Sequence, residues 1–402
     1  MKNKIYYGKA VYDNQEINAV IKVLKNNNLN LIDGPHVKKL EKQICKLFGK
    51  KYALMVNSGS SANLLGLSAF NFKKGSEIIT PNLTFSTTVA PIFQLGLIPR
   101  FIGVEKNKFV ANVDDLKKAI NKKTVAIMIP NLLGNIAKWS RINSFAKKHN
   151  LKVIEDSADT IGYSINGKNT GNLSDVVTNS FYASHIINGA GTGGIVCFND
   201  FDLYNKAKLL RGWGRSSATF NESENINKRF NIKVSGIDYD AKYVFSEAGY
   251  NFLPSEISAA FALVQLKKLK NNIVIRNKNF DYLKKYFKQY DHLFDLPEQY
   301  PGVKTPWLAF PLVMKKNKYF KRKNLQIYLE KNNIQTRTIF TGNILKQPIM
   351  KSKKFKKVNN SEAVSNNVME NGILIGCHQA LKIKDLKFIT KTFDKFLKKY
   401  SI

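Results

Sequence analysis

Short apolar runs alternate with amphipathic stretches through the first half of the chain, and this alternation constrains the fold more than any other feature. The runs that favour strands lie at 52–56, 77–80, 100–104, 124–129 and 152–155, and helical patterns lie near 86–93, 113–120 and 141–149. Repeated strand–helix units are typical of a mostly parallel sheet covered by helices. In such sheets a ligand binds beyond the carboxyl ends of the strands. We therefore expect an α/β fold whose functional residues follow its strands.

Similar patterns extend to both ends of the chain. Apolar residues at helical spacing predict helices at 16–24, at 37–48 and from Pro254 to about Lys270. Further strands are predicted at 307–313, 335–339 and 373–376, and further helices at 321–332 and over the last 17 or so residues. A chain of 402 residues suits two packed domains. We expect residues 1–260 to form an N-terminal arm and a large domain, and residues 261–402 a smaller C-terminal α/β domain.

A glycine-rich segment separates two more strand candidates. Residues 176–181 and 194–198 are β-branched and aromatic runs, and the residues between them contain His185 and several glycines. This pattern predicts two buried strands joined by a tight loop, and Asn166-Gly167-Lys168 predicts a hairpin turn before them. A glycine-rich loop is weak evidence of function by itself, because most such loops are only turns.

Two polar features follow predicted strands. The sequence Asn57-Ser58-Gly59-Ser60-Ser61 leads from the strand at 52–56 into a helical run at 62–70. Hydroxyl and backbone N–H groups at a helix N-terminus form an anion site, although Ser58 or Ser60 can equally serve as a helix cap alone. Asp156 closes the strand at 152–155, where it either faces the ligand or caps the next helix.

The segment that begins at Ser180 resembles that of the sugar-nucleotide aminotransferases, pyridoxal-phosphate enzymes with the aspartate-aminotransferase fold (fold type I). Their segment reads roughly SFxxxK before a glycine-rich turn, and the lysine position is His185 here. A lysine amine bonds covalently to the cofactor aldehyde, whereas an imidazole does not. Histidine at this position marks the sugar 3-dehydratases of the family. The chain resembles in particular the GDP-4-keto-6-deoxymannose 3-dehydratase type.

The resemblance implies a set of cofactor contacts. Asp156, within the sequence EDSAD, would pair with the pyridine nitrogen, and Phe85 would stack on the ring. Asp159 stands where aminotransferases commonly carry glutamine and the dehydratases an acidic residue. The implied phosphate contacts are Gly59, Ser60, Ser180 and, from the neighbouring subunit of a homodimer, Asn251. Without the resemblance, Phe85 favours a core position and Asn251 an ordinary turn.

Other matches concern the substrate. The implied substrate-binding residues are Asn131, Arg337, Asn343 and His378. One position departs from the family, because Leu253 stands where many members carry arginine or lysine. We therefore expect no anion contact from Leu253. Separately, we expect no metal-binding residues.

The cysteines bear on the type of dehydratase. The iron–sulfur type, which acts on CDP-linked sugars, carries a cysteine cluster at a segment that corresponds to residues 216–229, and this chain has none there. We expect no iron–sulfur cluster, and we expect 216–229 to form a flexible loop that could cover the substrate. Cys45, Cys197 and Cys377 are far apart in sequence, which predicts buried free thiols.

The implied reaction is a 3-dehydration with pyridoxal phosphate and pyridoxamine phosphate as cofactor forms. The substrate would be a nucleotide-linked 4-keto-6-deoxy sugar, and L-glutamate would restore the amine form. This resemblance leaves two choices open, namely whether the nucleotide is GDP or CDP and whether the sugar is a hexose or a heptose. His185, with a pKa near neutrality, would transfer the protons. Two alternatives are a sugar 4-aminotransferase that has lost its lysine and a catalytically silent binding protein.

The formal charge of +35 is unusually high, and basic surfaces often bind nucleic acid. The lysine pairs, however, are spread along the whole length, mostly in predicted helices, which indicates solvated faces, and we therefore expect no nucleic-acid partner. A diffuse positive field would still attract an anionic nucleotide sugar. Neither a long apolar run nor a signal-peptide core is present, so we expect a soluble cytoplasmic protein without a membrane partner.

Overall fold

A computed structural model describes residues 4–220 and 224–401. Its strands are β1 (Tyr52–Val56), β2 (Glu77–Pro81), β3 (Ile98–Ile102), β4 (Thr124–Pro130), β5 (Lys152–Asp156), β6 (Ser164–Ile165), β7 (Val176–Ser180), β8 (Gly194–Phe198), β9 (Lys233–Val234), β10 (Ile237–Asp238), β11 (Phe294–Asp295), β12 (Val303–Lys304), β13 (Phe310–Met314), β14 (Lys356–Lys357) and β15 (Gly372–Ile375). Its helices are α1 (Asn14–Leu24), α2 (Pro35–Phe48), α3 (Gly59–Ser68), α4 (Ser86–Gln94), α5 (Leu116–Ala119), α6 (Trp139–Lys148), α7 (Phe201–Arg211), α8 (Ile226–Phe230), α9 (Glu256–Phe287), α10 (Arg322–Lys331), α11 (Ala363–Asn371) and α12 (Ile383–Lys398).

A large sheet forms the centre of the molecule, in the order β1-β8-β7-β5-β4-β2-β3-β14. All neighbouring pairs are parallel except those that involve β8, which runs antiparallel to β1 and β7. Apolar residues on both faces of its strands are fully buried, because helices cover each face. The expected α/β fold with a mostly parallel mixed sheet is confirmed.

A smaller antiparallel sheet, in the order β11-β13-β15, packs with α9, α10 and α12 around a second apolar core. The strand predicted at 335–339 is wrong. Only Arg337 pairs there, with Leu374, and the backbone turns away at Phe340 and Gly342, both with positive φ. Conversely, the two-residue strand β14 was not predicted, and it brings the C-terminal part of the chain back to the edge of the large sheet.

The helix predicted from Pro254 begins at Glu256, with Ser255 as its N-cap, and continues to Phe287 rather than to about Lys270. Polar residues on its buried face, among them Arg276 and Asn279, interrupt the apolar stripe and hide its continuation. The proposed division at residue 260 falls inside this helix.

The segment expected to be a loop at 216–229 is partly helical. It contains a 3₁₀ turn at Ser216–Thr219 and the start of α8, while residues 221–223 of that segment lie outside the described residues. The hairpin turn at Asn166 and Gly167 is present, with positive φ at both residues. Cys45, Cys197 and Cys377 are buried free thiols. In the described part of the chain no helix has the length and apolar character needed to cross a membrane.

Candidate active site

A cavity of about 930 Å³ opens beyond the carboxyl ends of β1, β2, β5 and β7, and the segment 337–349 closes its opposite side. This is the edge at which a parallel sheet is expected to bind its ligand. Eight of the twelve predicted site residues line it. They are Gly59, Ser60, Phe85, Asp156, Asp159, Ser180, His185 and Arg337.

The turn from β1 into α3 meets the end of β7 at one corner of the cavity. Ser58 is the N-cap of α3, and its Oγ accepts a hydrogen bond from the backbone N–H of Ser61 at 3.0 Å. Gly59 packs directly on Ser180, so that a Cβ atom at Gly59 would lie 2.5 Å from the Ser180 Cβ. Only glycine permits this approach of helix and strand. The corner therefore places the Ser180 side chain against a helix N-terminus, an arrangement suited to a phosphate group.

Asp156 ends β5 at the cavity and is almost fully buried. Asn63 Nδ2 and Thr88 Oγ1 each donate to its Oδ2 at 2.8 Å, and the Ala158 N–H donates to Oδ1 at 3.1 Å. Burial raises the pKa of this carboxyl group, and the three donors oppose that shift. The carboxyl group is thus held in one orientation at the cavity wall.

Asp159 lies close to Asp156 and is also buried. Its Oδ2 accepts a hydrogen bond of 2.8 Å from the backbone N–H of Leu133, a residue with a φ of 60°. Burial raises the pKa of Asp159 to about 7, and the nearby charge of Asp156 adds to the rise. The cavity wall therefore holds two buried acidic groups close together.

Phe85 is not a core aromatic. Half of its surface is exposed, and its ring contacts Phe340 edge-on, with centroids 6.0 Å apart. The ring thus borders the cavity, where a planar ligand can stack against it.

His185 lies in the loop between β7 and β8 and lines the same cavity. Its Nδ1 is 3.4 Å from the Ser180 carbonyl oxygen. Because a carbonyl oxygen only accepts, this contact assigns the proton to Nδ1 and leaves a lone pair on Nε2. Burial lowers the pKa of His185 to about 4, below the near-neutral value expected from the sequence. Among the described residues that line the cavity there is no lysine.

Arg337 stands at the exposed rim of the cavity. Its guanidinium group lies 4.9 Å from the ring centroid of Tyr7, a residue of the N-terminal arm. Its Nη1 donates to the Thr336 carbonyl oxygen at 2.8 Å, and its other N–H groups can face an anionic group of a ligand.

The other four predicted site residues do not line this chain's cavity. Asn131 is buried, where it donates to Glu155 and Ser157 and accepts from Trp139 and the Ala137 N–H. These contacts fix the β4 end rather than a ligand.

Asn343 and His378 also have structural partners. Asn343 donates to Glu362 and Asn366, and its Oδ1 accepts from the Leu345 N–H. His378 is buried, with Nε2 3.0 Å from the Tyr6 carbonyl oxygen, and so holds the N-terminal arm. Asn251 is exposed and pairs through its backbone with Gly212, outside the cavity of its own chain.

The cavity residues that were not predicted include three that contact predicted site residues. Asn63 and Thr88 hold Asp156, and Tyr7 contacts Arg337. The sequence does give a signal for Asn63. The other residues of α3 are small or apolar, and a buried polar amide among them needs a hydrogen-bond partner. There is no such signal for Tyr7, because the arm reaches the cavity only through the tertiary fold.

Comparison with known proteins adds an independent finding. The model of the DegT/DnrJ/EryC1/StrS aminotransferase family matches residues 11–394. GDP-4-keto-6-deoxy-D-mannose 3-dehydratase from Escherichia coli O55:H7 is 33% identical over 393 residues, which cover 94% of this chain and 97% of that protein. dTDP-4-dehydro-2,6-dideoxy-D-glucose 3-dehydratase from Saccharopolyspora spinosa is 32% identical over 405 residues, which cover 98% of this chain and 86% of that protein.

The structural comparison agrees. A crystal structure of GDP-4-keto-6-deoxymannose-3-dehydratase with a trapped PLP-glutamate geminal diamine superposes with a TM-score of 0.85 at 29% identity, and covers 96% of this chain and 99% of that one. Solved aminotransferases at 19% and 24% identity share the fold. The fold is therefore that of the pyridoxal-phosphate aminotransferases.

Proposed function

The chain belongs to the DegT/DnrJ/EryC1/StrS aminotransferase family and is an enzyme, and from this premise we propose that it is a 3-dehydratase of a nucleotide-linked 4-keto-6-deoxy sugar. The product would be the corresponding 4-keto-3,6-dideoxy sugar. The proposal rests on one observation. The cavity wall formed by the described residues presents His185 and no lysine, so this chain offers the cofactor aldehyde no amine to bond with.

The residues of the cavity fit pyridoxamine phosphate. The corner formed by Gly59, Ser60 and Ser180 suits the phosphate, and a Cβ at Gly59 would fill it. Phe85 offers a ring face, and Asp156 a buried carboxyl group for the pyridine nitrogen. When bound, the cofactor would supply an amine that condenses with a ketone and a ring that stores an electron pair.

His185 would perform the proton transfers. With a pKa of about 4 the imidazole is neutral near pH 7, and Nε2 is available as a base for the proton on the carbon that bears the cofactor amine. The imidazolium so formed is a strong acid in this environment. It would return the proton to the carbon-3 hydroxyl group, which leaves as water.

L-glutamate would supply the two electrons that the reaction needs. In the balanced conversion, one sugar hydroxyl group is replaced by hydrogen while glutamate becomes 2-oxoglutarate and ammonia. The solved relative that holds a PLP-glutamate adduct supports glutamate as the donor. GDP is the nucleotide we propose, because the relative covered to 97% of its length is named for a GDP sugar.

The experiment is a product analysis without a reductase. Purified protein is mixed with pyridoxal phosphate, L-glutamate and GDP-4-keto-6-deoxymannose, and the products are weighed by mass spectrometry. We expect a GDP sugar that has lost one oxygen atom, together with stoichiometric 2-oxoglutarate and ammonia, and no iron in the purified protein.

Two other outcomes would overturn the proposal. A product that keeps the carbon-3 oxygen and carries nitrogen would identify a 4-aminotransferase. Unchanged sugar in the presence of bound cofactor would identify a binding protein.

A further inference from the structure

The N-terminal arm, residues 4–13, is attached at its start to the part of the chain that forms the smaller sheet. Ile5 forms two backbone hydrogen bonds of 2.8 Å with the segment 333–335. The next carbonyl oxygen, that of Tyr6, accepts a hydrogen bond of 3.0 Å from Nε2 of the buried His378. This end of the arm is therefore fixed by both backbone and side-chain contacts.

The other end of the arm is attached to helix α9. Gln265 is buried, and its Nε2 donates to the Val11 carbonyl oxygen at 2.9 Å and to Glu16 Oε1 at 2.7 Å. Lys268, one turn further along α9, forms ion pairs with Asp13 at 2.8 Å and with Glu16 at 2.7 Å. The arm is thus held at both ends, and its middle has little freedom to move.

The middle of the arm lies directly on the His185 loop, residues 181–193 between β7 and β8. A Cβ atom at Gly8 would lie 2.9 Å from the Ser184 Cβ, which is closer than two carbon atoms can approach without strain. The arm backbone therefore packs against the residue that precedes His185, and only glycine permits this contact.

A second contact holds the His185 loop on the other side of the histidine. Asn188 Nδ2 donates to Gln265 Oε1 at 3.2 Å, and both side chains are buried. Because the same Gln265 amide also binds the Val11 carbonyl oxygen, one side chain joins the arm to the loop. His185 consequently lies between two supported positions.

The His185 loop needs such support. It contains three glycines, and its backbone has positive φ at Ala190, Gly191 and Gly193. Glycine-rich segments lose much conformational entropy when they are ordered. The imidazole itself has only a long polar contact, 3.4 Å from Nδ1 to the Ser180 carbonyl oxygen. The position of the ring therefore depends on the backbone that bears it.

We propose that the N-terminal arm positions His185 for proton transfer, through Gly8 at Ser184 and through Gln265 at Asn188. This role rests on the proposed function in so far as His185 is the base. Neither Gly8 nor Gln265 is among the described residues that line the cavity, so both act through the loop. A base must lie within hydrogen-bond reach of its proton, and a displacement of about 1 Å can cost roughly a hundredfold in rate.

A double-mutant cycle tests the contact between the arm and the loop. Gly8→Ala places a Cβ atom against the Ser184 Cβ, whereas in Ser184→Gly the nearest remaining atom would be the carbonyl oxygen of residue 184, at 3.6 Å. Ser184 itself lines the cavity, so Gly8→Ala is compared with its own parent, wild type or Ser184→Gly. Amide hydrogen exchange of residues 181–193 is measured in the cofactor-free protein, and kcat, KM and cofactor affinity are measured separately.

In the wild-type background, we expect Gly8→Ala to raise exchange in the His185 loop about tenfold and to lower kcat about ten- to a hundredfold. Cofactor affinity should stay near the parental value, because the arm does not form the phosphate corner. In the Ser184→Gly background, the same substitution should change neither exchange nor kcat. A general loss of stability would not depend on the residue at 184.

A second variant tests the other support. Gln265→Met keeps a similar volume and removes the hydrogen bonds to Val11 and Asn188, so exchange and kcat should change in the same direction as in Gly8→Ala. Lys268→Met is the matched control. It removes ion pairs in the same region of α9, but its partners Asp13 and Glu16 do not belong to the loop. We expect wild-type exchange and kcat from it. If Gly8→Ala does not fold, Gln265→Met decides the question.

Unchanged loop exchange in folded Gln265→Met, an equal loss of kcat in Lys268→Met, or an equal effect of Gly8→Ala in both backgrounds would overturn the proposal. The rate of His185→Asn, measured alongside, separates this inference from the proposed function. If loop exchange rises in Gly8→Ala without loss of kcat, while His185→Asn is impaired, the positioning role is refuted and the base stands. If His185→Asn is also unimpaired, the base itself is refuted, and the positioning role with it.

Discussion

At the scale of single residues, the proposed chemistry depends most on the imidazole of His185. His185 has one polar contact, with the Ser180 carbonyl, and an edge-on ring contact with Tyr182 at 5.7 Å. Both contacts orient the ring without supplying a counter-charge. The neutral form is therefore favoured, which suits a base more than an acid at rest.

Replacement of His185 tests this role. We expect His185→Asn to retain fold and cofactor binding, while dehydration falls by about two to four powers of ten, the usual contribution of positioned acid–base catalysis. His149→Asn, at an exposed histidine after α6, is the control. Steady-state rates and circular dichroism provide the measurement, and undiminished dehydration in His185→Asn would remove this residue from the mechanism.

Asp159 makes the stability of the protein depend on pH. Its pKa of about 7 lies above the ordinary value of about 3.9. A raised pKa in the folded state gives stability that is complete below about pH 4 and is lost as the pH rises through 7.

Asp159→Asn removes this dependence, because the amide stays neutral and can still accept from the Leu133 N–H. In the cofactor-free protein, we compare the unfolding free energy of the variant with that of wild type at each pH. We expect this difference to be roughly 2 kcal/mol more favourable to the variant at pH 8 than at pH 5. Denaturant unfolding at both pH values measures it, with the exposed Asp202→Asn as control. The same difference from wild type at both pH values would contradict the assignment.

At the scale of elements, the site is formed by residues at the ends of strands and at the start of a helix. The ends of β5 and β7 supply Asp156 and Ser180, and the start of α3 supplies Gly59. The contact between α3 and β7 is too close for a side chain at Gly59. It depends on the absence of one side chain.

A paired substitution tests that contact. Gly59→Ala places a Cβ atom 2.5 Å from the Ser180 Cβ, and we expect it to destabilise the protein by about 1–3 kcal/mol and to weaken cofactor binding about tenfold or more. Ser180→Gly in the same chain removes the opposing atom and should recover stability, but not cofactor affinity, since the hydroxyl group is lost. Melting temperatures and absorbance titrations separate the two effects. A double variant no more stable than Gly59→Ala would show that the contact is not the cause.

At the scale of the whole molecule, a second subunit is part of the proposed site. Asn251 is exposed and lies outside the cavity of its own chain, as expected if it serves the cofactor phosphate of a partner subunit. An isolated subunit would then lack one phosphate contact. We therefore propose a homodimer with shared sites.

Hybrid dimers test the shared site. A hybrid of His185→Asn with Asn251→Ala, isolated through two affinity tags, would contain one intact site and one site with both defects. We expect about half of the wild-type activity from this hybrid, although each parent variant is impaired. No recovery over the parents would assign Asn251 to its own chain or to no site.

The amino-acid pattern alone determined the α/β class, most strand positions to within a few residues, and the strand ends at which Asp156 and Ser180 meet the cavity. These features are local, because strands and helices differ in the period at which apolar residues recur. The prediction failed where periodicity is interrupted. Buried polar residues such as Arg276 hid the second half of α9, and the two-residue strand β14 is too short to show a period.

Only the tertiary structure decided the protonation states and the supporting contacts. The pKa values of His185 and Asp159 depend on which distant segments exclude water from them. The hydrogen bond of Asn63 to Asp156 and the contact of Tyr7 with Arg337 join residues far apart in the chain. The same holds for Gly8 and Ser184, whose contact joins the N-terminal arm to the His185 loop. A sequence records which groups can ionise, but the dielectric environment that sets their charge exists only after folding.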